Sequence, residues 1–180
     1  MKQKRDLIYL LLIAALIAAS AYFYFTKQYI PASQIEVYFN KEAEVNTELI
    51  KLTREAEEYV YFAIYTFTRS DIKDALLAAK YRGLEVKGIT DKKQIKEIKL
   101  QRDIIKDLEE AGVPIVVQDH GSIMHIKTLV TEKGYASGSY NWTTSGTFKN
   151  DEVLEIGYDE GVRSQYQEII ESLFNKYQTS

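Results

Sequence analysis

The chain has 180 residues, enough for one domain and a short appendage, and 46% of them are hydrophobic, which is ample for a packed core. It has no cysteine, which excludes disulfides and thiolate metal sites, and its two histidines are too few for a zinc site unless carboxylates complete it. The net charge is −3 and the first six residues contribute +2, so the rest of the chain stands at −5, which argues against wrapping of nucleic acid by a generally basic surface.

The N-terminal segment is predicted to be a signal anchor. Residues 7–25 are apolar except for Ser20, and as a helix they would span about 28 Å, close to the thickness of a bilayer core. The basic residues before them indicate that the N-terminus stays in the cytoplasm and that the body is exported. The alternatives are a signal peptide cleaved at Ala19-Ser20-Ala21, which would leave a secreted or periplasmic protein, and a buried soluble helix. We expect an anchor or signal peptide over 1–26, a linker over 27–34 and one folded domain over 35–180.

From residue 35 onward, strand patterns alternate with helical ones. Helices predicted at 45–58, 70–81, 92–111 and 160–177 separate strands predicted at 35–39, 59–67, 84–90, 114–118 and 152–158. Between the last two of these strands, 125–131 and 135–137 are predicted to form a hairpin that turns at Lys133-Gly134. This alternation indicates an α/β layer fold with helices on both faces of the sheet.

Two short motifs in and after the hairpin carry the candidate chemistry. His125-Ile126-Lys127 places an imidazole and an ammonium on one face if the segment is a strand. Gly138-Ser139-Tyr140-Asn141-Trp142 then adds a hydroxyl and a carboxamide. Imidazole can act as a nucleophile or acid, and the other three groups can hold phosphoryl oxygens as charge builds on them, so together they suit attack on a phosphodiester without a metal.

These motifs and their surroundings resemble the phospholipase D superfamily, whose signature is His-x-Lys-x4-Asp followed by Gly-Ser-x-Asn. Upstream, residues 59–68 resemble its first core strand and 72–91 its helix, Arg-Gly turn and second strand, while Asn150-Asp-Glu152 resembles its downstream Asn-x-Glu. The resemblance covers about residues 35–177. There are two departures, both at the fringe of the motif: Glu132 stands where the family usually has Asp, and the spacer from Glu132 to Gly138 is one residue shorter than usual.

The resemblance implies an α-β-α sandwich with a mixed, mostly parallel sheet, here preceded by the N-terminal apolar helix. It implies that His125 attacks phosphorus and forms a covalent phosphohistidine, with Lys127 and Asn141 on the phosphoryl oxygens. Ser139 either adds a hydroxyl contact or only serves the turn. Glu152 is expected to accept the other imidazole N–H.

Four further side chains have alternative interpretations. Glu132 is expected to make a structural ion pair or turn contact. His120 is either an ordinary loop residue or a substrate contact, and Tyr140 and Trp142 either belong to the core or stack on a base or lipid. No metal site and no cofactor are expected, because the sequence shows no ligand set for a metal.

Only one His-x-Lys motif is present, whereas displacement at phosphorus also needs a general acid. Single-motif relatives form homodimers that share one site across the twofold axis, so the resemblance implies a homodimer here. We expect a phosphodiesterase, tethered by residues 7–25 or exported, that acts as a nuclease on nucleic acid. A phospholipase D-type lipid phosphodiesterase and an inactive nucleic-acid- or phosphate-binding module are the alternatives. The lysine-rich stretch 87–106 is either a solvated helix face or a local basic patch.

Overall fold

The structure is a computed structural model that describes residues 9, 12–20, 22 and 35–178. The chain divides into two compact units, Met1–Gln34 and Ile35–Ser180. In the first unit the described residues are helical, while the rest of the predicted anchor and the predicted linker lie outside the described residues. Within the described part of the chain, no helix is both long and apolar enough to cross a bilayer.

The second unit contains the seven predicted strands and the predicted helices, one of which is divided in two, and one additional short helix. In chain order the elements are β1 Ile35–Phe39, α1 Val45–Glu55, β2 Tyr59–Ile64, α2 Ser70–Tyr81, β3 Glu85–Asp91, α3 Lys92–Glu97, α4 Lys99–Glu110, β4 Ile115–Gln118, β5 Lys127–Thr131, β6 Tyr135–Gly138, α5 Thr144–Phe148, β7 Val153–Gly157 and α6 Glu160–Gln178. The additional helix is α5, which the Thr143 side chain caps by accepting the N–H of Gly146.

The helix predicted over 92–111 is divided in two. Asp91 caps α3 by accepting the N–H of Gln94, and Ile98 then adopts an extended conformation that ends α3 and precedes α4. Gly112 ends α4 with φ +80°, a left-handed conformation that glycine adopts without strain. The break leaves α3 as a separate short helix directly after β3.

The strands form one mixed sheet in the order β1-β7-β6-β5-β2-β3-β4. The expectation of a mixed sheet is confirmed, but the expectation that it is mostly parallel is wrong. Only β2–β3 and β3–β4 are parallel, and the other four neighbouring pairs are antiparallel. The helices α2 and α4 are long enough to return the chain for parallel pairing, whereas the three-residue connection between β5 and β6 allows only a hairpin.

Helices cover both faces of the sheet, so the predicted α-β-α layering is confirmed. One face packs Val60, Phe62 and Ile64 of β2 against α1, α2 and α4. The other packs Tyr59, Tyr61 and Ala63 against α6 through Ile170 and Phe174. Among the described residues, α6 packs mainly on β4, β3, β2 and β5, and on the same face of β1 the side chain of Val37 is 63% exposed.

Candidate active site

Both motifs lie at one end of the sheet, which we call the motif end. It comprises the residues just after β2, β3, β4 and β6 and just before β5 and β7. The antiparallel pairing of β2 with β5, of β5 with β6 and of β6 with β7 brings these termini together. Residues far apart in the chain, such as Tyr65, His125, Ser139 and Glu152, are thereby gathered into one region.

His125 precedes β5 rather than lying within it, and its side chain is exposed. The backbone still runs beside the residues after β2, because the N–H of Tyr65 donates to the carbonyl of Ile126 at 3.0 Å. The imidazole lies against the Tyr65 ring, with 4.7 Å between ring centroids. No hydrogen bond to either ring nitrogen is made by any described residue, so the imidazole is open to a ligand from solvent.

Lys127 is only 7% exposed, although it carries the charge expected to bind phosphate. Its Nζ donates to the backbone carbonyl of His125 at 2.9 Å and lies 5.2 Å from the centroid of the Tyr65 ring. Burial lowers the pKa of Lys127, and the nearby Glu152 carboxylate offsets part of that effect. His125 and Lys127 therefore both lie against the Tyr65 ring, and the ammonium is held by the backbone of His125.

Asn141 is placed by pairing between two loops. Its Oδ1 accepts the N–H of Thr66 at 3.2 Å, and no described residue accepts a hydrogen bond from its Nδ2. Next to it, Trp142 forms a bridge with Phe67, and the two rings meet edge to face at 5.0 Å between centroids. The core thus anchors Asn141 directly, and its amide can donate to an oxygen of a bound phosphate.

Ser139 and Glu152 form a pair at the opposite side of the motif end. The Ser139 hydroxyl donates to Oε2 of Glu152 at 2.5 Å, and Asn150 donates to Oε1 at 3.0 Å. The backbone N–H of Glu152 is in turn bound by the Asn40 side chain. The expected hydrogen bond from His125 to Glu152 is not made within this chain, where Ser139 and Asn150 each donate to one of the two carboxylate oxygens.

Glu132 lies at the other end of β5 from His125. Its carboxylate accepts the backbone N–H groups of Glu57, Glu58 and Tyr59 at 2.8 to 3.4 Å. Burial alone would raise the pKa of Glu132, but these backbone hydrogen bonds outweigh it and the pKa is lowered. The expected structural contact is what the geometry shows.

Tyr140, Trp142 and His120 lie outside the group that converges at the motif end. Tyr140 and Trp142 are buried core residues. His120 is a loop residue whose Nδ1 accepts the N–H of Ser122 and whose Nε2 lies 2.9 Å from the Tyr177 hydroxyl. With both nitrogens engaged, His120 is poorly placed to exchange a proton with a substrate at His125.

Sequence reasoning missed the residues that hold the region after β2. Gln101 accepts the N–H of Phe67 and donates to the carbonyl of Tyr65, and Gln94 accepts the Thr66 hydroxyl. The sequence did contain a signal that Gln101 is buried. Gln101 lies on the apolar face of α4, at helical spacing from the buried Ile104, Ile105 and Leu108. Tyr65 had no such signal, because it read as one more residue of a buried aromatic strand.

Among the described residues, no cluster of three or more histidine, aspartate or glutamate side chains is arranged to hold a metal ion. The groups that converge at the motif end are an imidazole, an ammonium, a carboxamide and a hydroxyl–carboxylate pair. Cationic and amide donors of this kind bind anionic oxygen.

Comparison with known proteins shows the family of the chain. A family model described as "Cardiolipin synthase, PLD-like domain" matches residues 49–174. The chain is 24% identical over 158 residues to a phospholipase D of Rickettsia prowazekii, which covers 87% of this chain and 74% of that protein. It is 29% identical over 132 residues to a mitochondrial cardiolipin hydrolase of Xenopus tropicalis, which covers 73% of this chain and 61% of that protein.

The fold is similar to that of Nuc, a phospholipase D family member from Salmonella typhimurium. The TM-score is 0.73 at 23% identity, and the alignment covers 78% of this chain and 93% of Nuc. Since the family model spans more than half of the sequence, the chain belongs to the phospholipase D superfamily of phosphodiesterases.

Proposed function

We propose that this chain is a metal-independent phosphodiesterase that cleaves nucleic-acid phosphodiester bonds through a phosphohistidine intermediate. The observation that carries the proposal is the exposed imidazole of His125, whose ring nitrogens bond to no described residue, while the Lys127 ammonium donates to the backbone carbonyl of the same residue. A free imidazole nitrogen is a competent nucleophile, and the ammonium together with the Asn141 amide stabilises charge on the non-bridging oxygens.

The reaction has two steps. A ring nitrogen of His125 attacks phosphorus, so that a P–N bond forms while the P–O bond to the leaving group breaks and a general acid protonates the leaving oxygen. Water then attacks phosphorus, the P–N bond breaks, and the same acid, now acting as a base, takes the proton from the water. The products are a phosphomonoester and an alcohol.

The general acid is proposed to come from a second copy of the chain. The only other histidine is His120, and its ring nitrogens are engaged by Ser122 and Tyr177. A twofold axis through the motif end would place the second copy's His125 opposite the first. The face of β1 and β7 that carries Val37 reaches the motif end at Val153, next to Glu152, and the exposed Val37 and Val153 supply apolar surface for such a contact.

His125→Ala tests the proposed activity. The full chain is incubated with plasmid DNA, RNA and a small chromogenic phosphodiester, each with excess chelator. We expect cleavage by the wild type and a loss of several orders of magnitude in the variant, since the covalent route is removed. Retention of more than about a tenth of the activity by a folded variant would reject the nucleophile, and full loss in chelator with recovery on adding magnesium or zinc would reject metal independence.

A lipid phosphodiesterase is the second candidate, and the names of the curated relatives favour it. The matched relatives of Rickettsia and Xenopus are a phospholipase D and a cardiolipin hydrolase. Vesicles of phosphatidylcholine and of cardiolipin therefore belong in the same assay. Turnover of vesicles without turnover of nucleic acid would favour this candidate.

We also propose that residues 7–25 hold the body outside the cytoplasmic membrane. The pattern of apolar residues preceded by basic ones supports this location. A reporter fused after Ser180 should be active only outside the cytoplasm. Activity of the reporter only inside would overturn the proposal, and a mature N-terminus at Tyr22 would indicate cleavage of a signal peptide.

A further inference from the structure

A cleft of about 580 Å³ lies beside the active site, between α3 and the loop that connects β4 to β5. Lys92, Lys93 and Lys96 line the helical wall, and Asp119, His120 and Ile123 line the loop wall. We call this feature the α3 cleft. None of these residues belongs to the catalytic group described above.

Asp91, which lines the α3 cleft, connects the cleft to the active site. Asp91 caps α3 with one carboxylate oxygen, and its other oxygen accepts the N–H of Met124 at 2.9 Å, one residue before His125. The loop wall ends at Ile123, so at most about 7 Å of extended chain separates it from His125. That separation is comparable to the spacing of neighbouring phosphates along a nucleic-acid strand.

The charges in the α3 cleft leave lysines available to an anion. Lys96 forms no ion pair with any described residue. Lys93 is paired with Glu97 at 3.9 Å on the same helix, and Lys92 is paired with Asp119 across the cleft. Both pairs are solvent-exposed, and pairs of this kind are weak enough for a phosphate to compete with the carboxylate. The lining also carries three carboxylates, Asp91, Glu97 and Asp119, and both oxygens of Asp91 are bound by backbone N–H groups inside the fold.

The lining of the α3 cleft suits a nucleotide better than an acyl chain. Ile123 is its only aliphatic lining side chain, and the others are charged, polar or glycine. The ring of His120 packs against that of Tyr177, with 5.6 Å between centroids and 43° between the ring planes, so an aromatic pair borders the loop wall. Lysines that follow a phosphate backbone, together with an aromatic surface for stacking, are the means by which proteins hold unpaired nucleotides.

We propose that the α3 cleft is a subsite for the nucleotides that flank the scissile phosphate. Lys96 and Lys93 contact the phosphates of the departing strand, and the His120 ring supports a base. This inference rests on the proposed nuclease function and extends it, since it names a surface that selects a polymer over a small phosphodiester.

Binding of a labelled single-stranded oligonucleotide tests the subsite. The measurement uses the full chain in a His125→Ala background, so that the oligonucleotide is not consumed, at salt concentrations from about 50 to 200 mM. Lys96→Ala should weaken binding about fivefold to tenfold at the low-salt end and reduce the slope of log affinity against log salt by about 0.7, the value for one phosphate contact on a single strand. Asp119→Asn should have the opposite effect, because it releases Lys92.

Lys106→Ala is the matched control. Lys106 resembles Lys93, because each is an exposed helical lysine paired with the glutamate four residues further along the chain. The side chain of Lys106 is 71% exposed and that of Lys93 is 63% exposed. Lys106, however, lies on α4 away from the cleft. It should leave both the affinity and the salt slope unchanged. If Lys93→Ala and Lys96→Ala behave like Lys106→Ala, the subsite is rejected.

Turnover separates failure of the subsite from failure of the proposed function. With His125 intact, Lys96→Ala should raise KM for an oligonucleotide several-fold and leave hydrolysis of a small chromogenic phosphodiester unchanged. If the wild type hydrolyses neither substrate, the proposed function itself is wrong. If Lys96→Ala weakens binding to cardiolipin vesicles but not to the oligonucleotide, the cleft binds a lipid headgroup and the inference is overturned.

Discussion

At the scale of single residues, Lys127 is a cation in a position that disfavours charge. Its Nζ has one hydrogen-bond partner among the described residues, the carbonyl of His125, and burial lowers its pKa. Between that lowered pKa and the usual lysine pKa, the unfolded chain binds more protons than the folded chain. Stability should therefore rise with pH across that alkaline window.

Lys127→Met should separate activity from stability. Methionine fills similar space without charge, so we expect the free energy of unfolding to rise by about 1 kcal/mol, as at other sites where function costs stability. The loss of one cation from the transition state should lower kcat by about 10²- to 10³-fold. The alkaline rise in stability should disappear with the ammonium. Denaturant unfolding at several pH values checks this, with exposed Lys106→Met as the control, and a clear loss of stability in Lys127→Met would contradict it.

Glu132 differs from Lys127 because the fold favours the charged form of its side chain. Glu132→Gln should lower the free energy of unfolding by about 1.5 to 3 kcal/mol at pH 7, because charged acceptors form the stronger hydrogen bonds to backbone N–H groups. Its pKa is lowered in the folded state, so this contribution is complete above the usual value of 4.5 and is lost as pH falls through the lowered pKa. The difference between wild type and variant should therefore narrow in acid. Unchanged kcat at neutral pH would agree with a structural role, and a large loss of kcat would contradict it.

At the scale of elements, α4 holds the segment that follows β2. Gln101 is fully buried and binds the backbone of Tyr65 and Phe67 on either side of Thr66, which in turn fixes Asn141. This explains why β2 ends at Ile64 although the apolar pattern continues to Phe67. The chain leaves the sheet to pair with the loop at Trp142, and a pattern read along one segment contains no information about that partner.

Gln101→Leu should damage both stability and catalysis. It leaves a buried N–H and a buried carbonyl without partners, which we expect to cost at least about 2 kcal/mol. Movement of Tyr65 and Thr66 should also lower kcat more than it raises KM, because the catalytic groups are displaced while the α3 cleft is retained. Thermal unfolding and steady-state kinetics provide the two measurements. Gln165→Leu, on the exposed side of α6, should change neither, and normal kcat in Gln101→Leu would show that α4 does not position the site.

At the scale of the whole molecule, the chain supplies one nucleophile and the ring nitrogens of its second histidine are engaged, so the proposed mechanism takes its general acid from a second copy. Wild type and His125→Ala are mixed in equal amounts under conditions that permit subunit exchange. If both copies contribute His125 to one site, only the wild-type pairs, about a quarter of the dimers, are active.

The mixture should then have about a quarter of the activity of the same total amount of wild-type protein. If each chain had an independent site, the mixture would keep about half of that activity. Exchange is verified with differently tagged chains. A linear decline of activity with the fraction of variant would reject the shared site. The general acid would then have to come from the same chain.

The sequence by itself determined the layered α/β architecture, the position of nearly every element and the identity of the motif residues. These depend on local properties: the period of apolar side chains, glycines at helix ends, and short spacings such as the one that joins His125 to Lys127. The departure at Glu132 was also interpretable, because it lies at a turn and away from the histidine.

Only the tertiary structure decided the strand order, the mainly antiparallel pairing, and the partners of the site residues. Thr66 meets Asn141 across 75 positions, and Asn40 meets Glu152 across 112. The Ser139–Glu152 pair, the support of His125 by Tyr65, and the α3 cleft arise in the same way, from segments that are distant in the chain and adjacent in the sheet. Such contacts depend on which strand ends meet, and that is settled by packing of the whole core rather than by any one segment.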